Sequence, residues 1–203
     1  MNLFIQMIIN SIVEILLFAL IPFIWWLVTA RKETGFFKWI GLKKPKDTKE
    51  NKTLIWILAI VICFCILSAF MLTLLKGAKT ATSEFLGMGF GALPAILVYA
   101  ILNTALPEEI LFRGFLLKRF SNKFGFTKGN IMQSMLFGLM HGIMFFSVTG
   151  FIKAVLIILF TGSIGWFMGF VNEKKADGSI IPSWIIHASA NIFSAMCSAF
   201  LVF

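Results

Sequence analysis

Charge is scarce in this chain. Of its 203 residues only 13% are charged and 59% are hydrophobic, whereas an ordinary soluble domain carries about 25% charged residues. A water-soluble globule is therefore excluded, because it needs polar side chains to cover its surface, while in lipid the outer surface must itself be apolar. Histidine, aspartate and cysteine are scarce as well, at two, two and three residues. The aspartates, Asp47 and Asp177, lie between apolar runs, and Cys63, Cys65 and Cys197 lie inside them, where a thiol behaves as a small hydrophobe. No second cysteine pair accompanies Cys63 and Cys65 to complete a metal site. Internal repeats and low-complexity tracts are absent too.

What is present is a series of six apolar runs: Leu3 to Thr29, Leu54 to Leu75, Met88 to Leu106, Ile131 to Val148, Phe151 to Val171 and Ile180 to Phe203. At 1.5 Å per residue, each crosses or nearly crosses a hydrocarbon layer of about 30 Å. The expected fold is an all-α polytopic membrane bundle of about six transmembrane helices. Between the third and fourth runs, Pro107 to Gly129 reads as a shorter amphipathic segment whose start suits Pro at a first helical position and acids in a first turn. Residues 1–85 read as two N-terminal helices with a basic loop, and residues 86–203 as a catalytic bundle, the two forming one integral fold.

The first run lacks a basic leader and is too long for a signal-peptide core, so it reads as a retained span. A net charge of +9 suggests nucleic acid only if the basic residues share an aromatic-interleaved face, and they do not. They sort by loop instead. Arg31 to Lys52 holds eight, Arg113 to Lys128 five and Lys174 with Lys175 two, whereas the alternate loops hold only Lys76, Lys79 and Lys153. That bias places the basic loops in the cytoplasm and both termini outside. The membrane expected is the plasma membrane. The stretch from Lys43 to Lys52 reads as a solvated loop.

Ionisable side chains at membrane depth cost about 2.5 to 3.5 kcal/mol each on insertion scales and are functional candidates by default. They are Glu14, Glu108, Glu109, Arg113, His141 and His187, with Asn191 as an uncharged companion. Glu109 and Arg113 are four apart on one helical face, as are His187 and Asn191. Taken singly, Glu109 with Arg113 reads first as a structural ion pair, and a lone intramembrane histidine reads equally as a helix-to-helix hydrogen-bonding residue or a functional one. Together, a carboxylate, two imidazoles and an amide are a full set for moving protons and stabilising an oxyanion. Glu14 has no partner at helical spacing and stays off the site.

These residues carry a resemblance. Glu108-Glu109-x-x-x-Arg113, Phe137-x-x-x-His141 and His187-x-x-x-Asn191, in that order on apolar helices, resemble the three motifs of the CPBP intramembrane proteases, the CAAX-protease and bacteriocin-processing group. The likeness runs from Leu93 to Ala199. It implies hydrolysis of a peptide bond in a membrane-associated protein or peptide precursor, cleaved near the membrane or at its C-terminus. Glu108 would be the general base, His141 would hold the water, and His187 and Asn191 would bind the oxyanion. Glu109 with Arg113 would anchor the segment, and Phe137 would pack beside the site. No cofactor is required on this reading. Zn2+ or another divalent metal is the alternative, with Glu108, His141 and His187 as ligands, although the His-Glu-x-x-His helix motif is missing.

Rival intramembrane protease classes fit less well. The nearest segment to a Gly-x-Ser-Gly site reads Gly162-Ser163-Ile164-Gly165, and no pair of aspartates lies within the spans. A proton-coupled transporter uses the same intramembrane acids and histidines but usually shows paired broken helices in repeated halves. A non-catalytic partner or immunity protein is the third reading. Counted from the cytoplasmic helix ends at Ile180 and Ile131, His187 lies about 10 Å deep and His141 about 15 Å deep. One shallow pocket opening to the cytoplasm is the expectation.

Overall fold

The computed structural model describes residues 2–45, 52–74 and 80–202. Lys46, Lys49, Lys76 and Lys79, which entered the charge count, and the part of the expected solvated loop at 46–51 lie outside the described residues. Among the described residues there are helices and turns and no strand. Helix α1 is Leu3–Thr29, capped by the Asn2 side chain, which accepts the Phe4 N–H at 2.9 Å. A short α2, Phe36–Trp39, precedes α3, Thr53–Leu74. On α1 and α3 large apolar side chains such as Leu16, Val28, Ile62 and Ile66 are exposed. In water that surface would drive aggregation, whereas against lipid it costs nothing. Four helices are long and apolar enough to cross a membrane: Leu3–Thr29, Thr53–Thr73, Gly89–Phe124 and Phe126–Lys175. The chain is an integral membrane protein with an all-helical bundle fold.

The third of these differs from the sequence expectation. Pro107 does not begin a separate amphipathic helix, because Gly89–Phe124 runs through it as one rod of 36 residues. Within the rod, α4 (Leu93–Val98) leads into a π-helical stretch, Tyr99–Ala105. Then come α5 (Leu106–Glu109), a second π-helical stretch, Ile110–Leu117, and α6 (Lys118–Phe124). A proline inside an α-helix removes one hydrogen bond and crowds the preceding turn. The wide turn just before Pro107 relieves that crowding, and the Leu106 N–H bonds back five residues to the Ile101 carbonyl. The rod ends at Gly125, whose φ of 80° is one that L side chains rarely adopt.

The fourth and fifth apolar runs are the two arms of α7, Phe126–Lys175, which reverses at Gly150 (φ 76°, ψ 174°). Gly138 lies against Gly162, Gly142 against Ile158 and Asn130 against Gly169, and each pair is nearly equidistant from Gly150. The arms therefore form an antiparallel helical hairpin. Missing side chains let the backbones approach closely, a recurrent device in membrane helix packing. The last helix, α8, is Ile181–Ala199. It carries His187, Asn191 and four serines and is the least lipid-like of the long helices.

Hydrogen bonds tie each end of the bundle. At one end Ile180 N–H donates to the Gly41 carbonyl at 2.9 Å, and Ser179 Oγ donates to the Lys43 carbonyl at 2.5 Å. There also Lys118 Nζ reaches Glu173 at 2.9 Å and the Gly178 carbonyl at 2.8 Å. Thr53 Oγ1 donates to the Lys175 carbonyl at 2.7 Å. At the other end the Thr82 and Ser198 hydroxyls meet at 3.0 Å, and Phe90 stacks edge-on with Phe200. The N-terminal helices share the core with the rest: Met7 packs with Tyr99 and Ala195, and Ile57 and Ile60 pack with Phe137 and Ile186.

Candidate active site

Glu108 and Glu109 are neighbours about 100° apart around one helix, so their carboxylates meet different surroundings. Glu109 points inward and is fully buried, as is Arg113 one turn on. Its Oε1 accepts from Arg113 Nη1 at 3.0 Å and from His187 Nδ1 at 3.0 Å, and its Oε2 accepts from Ser183 Oγ at 2.5 Å. A buried charge is tolerable only when paired and hydrogen-bonded, and this carboxylate has three donors.

Glu108 faces the two histidines. Its Oε2 lies 3.9 Å from His141 Nε2 and 3.8 Å from His187 Nε2, and it takes no hydrogen bond from the described residues. The tautomers follow from the partners. His141 Nδ1 lies 2.9 Å from the Phe137 carbonyl, which only accepts, so Nδ1 carries the proton. His187 Nδ1 likewise faces a carboxylate. In their neutral forms both rings thus turn an unprotonated Nε2 towards Glu108. The Glu108 and His141 side chains remain 16% and 17% exposed, whereas those of Glu109 and Arg113 are at 0%. The first pair is thus partly open to its surroundings, although Glu108 Oε2 itself is buried, and the second pair is sealed.

Phe137 forms the floor. The Arg113 guanidinium stands 4.1 Å over its ring centre, the His141 ring is 4.5 Å away, and the His187 ring meets it edge-on at 5.9 Å. Asn191, one turn beyond His187, donates from Nδ2 to Thr104 Oγ1 at 2.6 Å. Its second amide hydrogen is left for another acceptor. Thr104 in turn donates to the Tyr99 carbonyl, in the first π-helical stretch.

The structure thus brings Glu108, His141 and His187 to one point, with Glu109, Arg113 and Phe137 directly behind them. Asn191 stands beside it on the Thr104 rung, and Glu14 is half-buried on α1, outside the cluster. Sequence reasoning did not single out Ser183, Asn172 or Thr104. Ser183 and Thr104 are marked out only by lying one turn from a motif residue, and Asn172 only by facing Ser183.

Two imidazole Nε2 atoms and a carboxylate, with each Nδ1 held by an outer partner, are the donor types of a three-ligand divalent metal site. Among the described residues, however, no group of three or more His, Cys, Asp or Glu closes to a geometry that could hold an ion. A groove of about 710 Å³ lies on the outer face of the α7 hairpin, lined by residues such as Met132, Leu139 and Phe167. It contains none of the site residues.

A family model described as type II CAAX prenyl endopeptidase Rce1-like matches residues 89–193, just over half of the chain. The chain belongs to this family. It is accordingly an intramembrane endopeptidase of the CAAX-protease class, acting on a peptide or protein substrate in a membrane. The matched span begins at the head of the 36-residue rod and ends just past Asn191, so it covers every residue of the cluster. No curated protein and no solved structure matches the chain.

Proposed function

We propose that this Rce1-like protein cleaves a membrane-associated peptide by direct attack of water, with Glu108 as general base. The carrying observation is the convergence of Glu108 Oε2 with the Nε2 atoms of His141 and His187, at 3.9 and 3.8 Å. A water hydrogen-bonded between Glu108 and His141 gives a proton to the carboxylate as its oxygen attacks the scissile carbonyl carbon. The protonated Glu108 then delivers that proton to the leaving nitrogen as the C–N bond breaks. His187 in its imidazolium form donates from Nε2 to the oxyanion while Nδ1–H stays on Glu109. Asn191 adds its free amide hydrogen. Arg113 and the imidazolium then balance the two carboxylates.

The substrate class follows the family description: a prenylated protein ending in a CAAX sequence. The site opens towards the basic end of the bundle, taken as cytoplasmic, with both termini outside and the plasma membrane as location. The steps above use the protein's own groups.

The test is cleavage of a prenylated C-terminal peptide reporter by protein in lipid nanodiscs, beside its unprenylated twin. Glu108→Ala and His141→Ala lower the rate at least about a hundredfold with insertion and expression intact. Full cleavage by both variants ends the hydrolytic reading, and equal cleavage of the twin peptides ends the prenyl one. Incubation with 1,10-phenanthroline leaves the rate unchanged. A loss reversed by Zn2+ would move the reaction to a metal.

A further inference from the structure

Behind Glu109 lies a polar chain that the three motifs do not contain. Asn172, on the second arm of α7, and Ser183, in the first turn of α8, are 1% and 0% exposed. Asn172 Nδ2 donates to Ser183 Oγ at 2.6 Å, and Asn172 Oδ1 accepts the Ser183 backbone N–H at 3.1 Å. The hydroxyl accepts from Asn172 and has one hydrogen for two acceptors, Glu109 Oε2 at 2.5 Å and the Ile180 carbonyl at 3.0 Å, and the shorter contact to the charged carboxylate takes it. The other oxygen of that carboxylate holds His187 Nδ1.

We propose that Ser183, oriented by Asn172, is a positioning residue: it fixes the rotation of the Glu109 carboxylate and through it the tautomer and direction of His187. A carboxylate held only by Arg113 at one oxygen can swing about its terminal bond. Held at both oxygens, it presents Oε1 to His187 in one direction, and the imidazole must then turn Nε2 to Glu108. This rests on the hydrolytic reading above, but its spectroscopic consequence does not.

A simpler role is capping. The first turn of α8 has unpaired N–H groups, and Asn172 satisfies one of them. Ser183→Ala separates the two roles, because it removes the hydroxyl and keeps the backbone N–H bonded to Asn172. Positioning predicts that kcat on the prenylated reporter falls about 10- to 100-fold, the size of loss seen when the hydrogen-bond partner of a metal-bound histidine is removed, with KM within twofold. Ser189→Ala, on the exposed side of the same helix, leaves both unchanged.

The chain has only two histidines, so 15N spectra of labelled protein in bilayers resolve each, with His141→Gln giving the assignment. In the wild type His187 is Nδ1-protonated. At a pH where His187 is neutral, the Ser183→Ala variant moves the His187 resonances towards a mixture of tautomers, while those of His141, bonded to the Phe137 carbonyl, stay in place. A wild-type His187 in the neutral Nε2–H form overturns the proposal even if the variant does not fold. Unmoved His187 resonances with an unchanged kcat also overturn it, as do equal movements of both histidines with a lowered melting midpoint. If the wild type fails to cut the reporter, the hydrolytic reading falls alone and the spectra still decide on Ser183.

Discussion

At the residue scale, the cluster is governed by one buried charge. Glu109 and Arg113 are sealed from solvent, so neither ion can fall back on water if its partner is removed. Breaking such a pair costs about 3 to 5 kcal/mol, whereas replacing both ions by neutral groups of similar size is often close to neutral. Arg113→Ala should therefore lower the melting midpoint of the detergent-solubilised protein sharply. Glu109→Gln combined with Arg113→Met should recover most of that loss without recovering cleavage, since His187 loses its anionic anchor. Recovery of cleavage in the double variant would show that the ion pair does not serve the site. Glu108, His141 and His187 could be named from sequence because an acid or imidazole in hydrocarbon has few structural excuses. Ser183, Asn172 and Thr104 could not, because small polar residues occur throughout membrane helices as local hydrogen-bonding groups. Thr104→Val tests the least conspicuous of them. It frees Asn191 from its rung and should reduce cleavage several-fold with stability little changed, as read by kcat beside thermal unfolding.

At the element scale, the apolar runs were legible and their joints were not. Hydropathy reports where the chain is greasy, so it saw Pro107 followed by two acids as a helix start. The backbone absorbs the proline by widening the preceding turn into a π-helix, which no side-chain pattern announces. Such turns recur at functional sites, and here the first ends at Ala105, two residues before Pro107, and holds Thr104 in the rung beside Asn191. The hairpin of α7 is a second joint. Its two runs were separated correctly at Gly150, yet nothing in either run said that they pack on each other through glycines. A Cβ on Gly138 would stand 2.5 Å from the Ile158 carbonyl and 3.1 Å from Gly162 Cα. Both are backbone atoms that cannot rotate away. Gly138→Val should thus force the arms apart, costing about 1 to 3 kcal/mol as overpacking does, and should shift Phe137 and His141 on the same arm. Gly91→Ala, with nothing within 4 Å, is the matched substitution expected to change neither melting nor cleavage.

At the scale of the whole molecule, the two ends of the bundle differ in kind. The end tied by Lys43, Lys118, Glu173 and Gly178 gathers the basic loops, and α8 starts there, so His187 lies only about 9 Å in from Ile181. The other end is closed by the Thr82 and Ser198 hydroxyls and the Phe90 and Phe200 rings. Excess Lys and Arg mark the side that is not translocated, so the basic end should face the cytoplasm, and substrate should reach Glu108 from that side by a short path. The arrangement is open to direct measurement in a background with Cys63, Cys65 and Cys197 replaced by alanine. A cysteine in place of Lys128, exposed at the start of α7, should be shielded from a membrane-impermeant maleimide in intact cells and labelled in inverted vesicles. One in place of Glu84, exposed near Thr82, should show the reverse. If both label from the same side, the bundle does not span as drawn. If each labels from the opposite side to that expected, the catalytic mouth opens away from the cytoplasm, and the substrate must be sought among exported peptides.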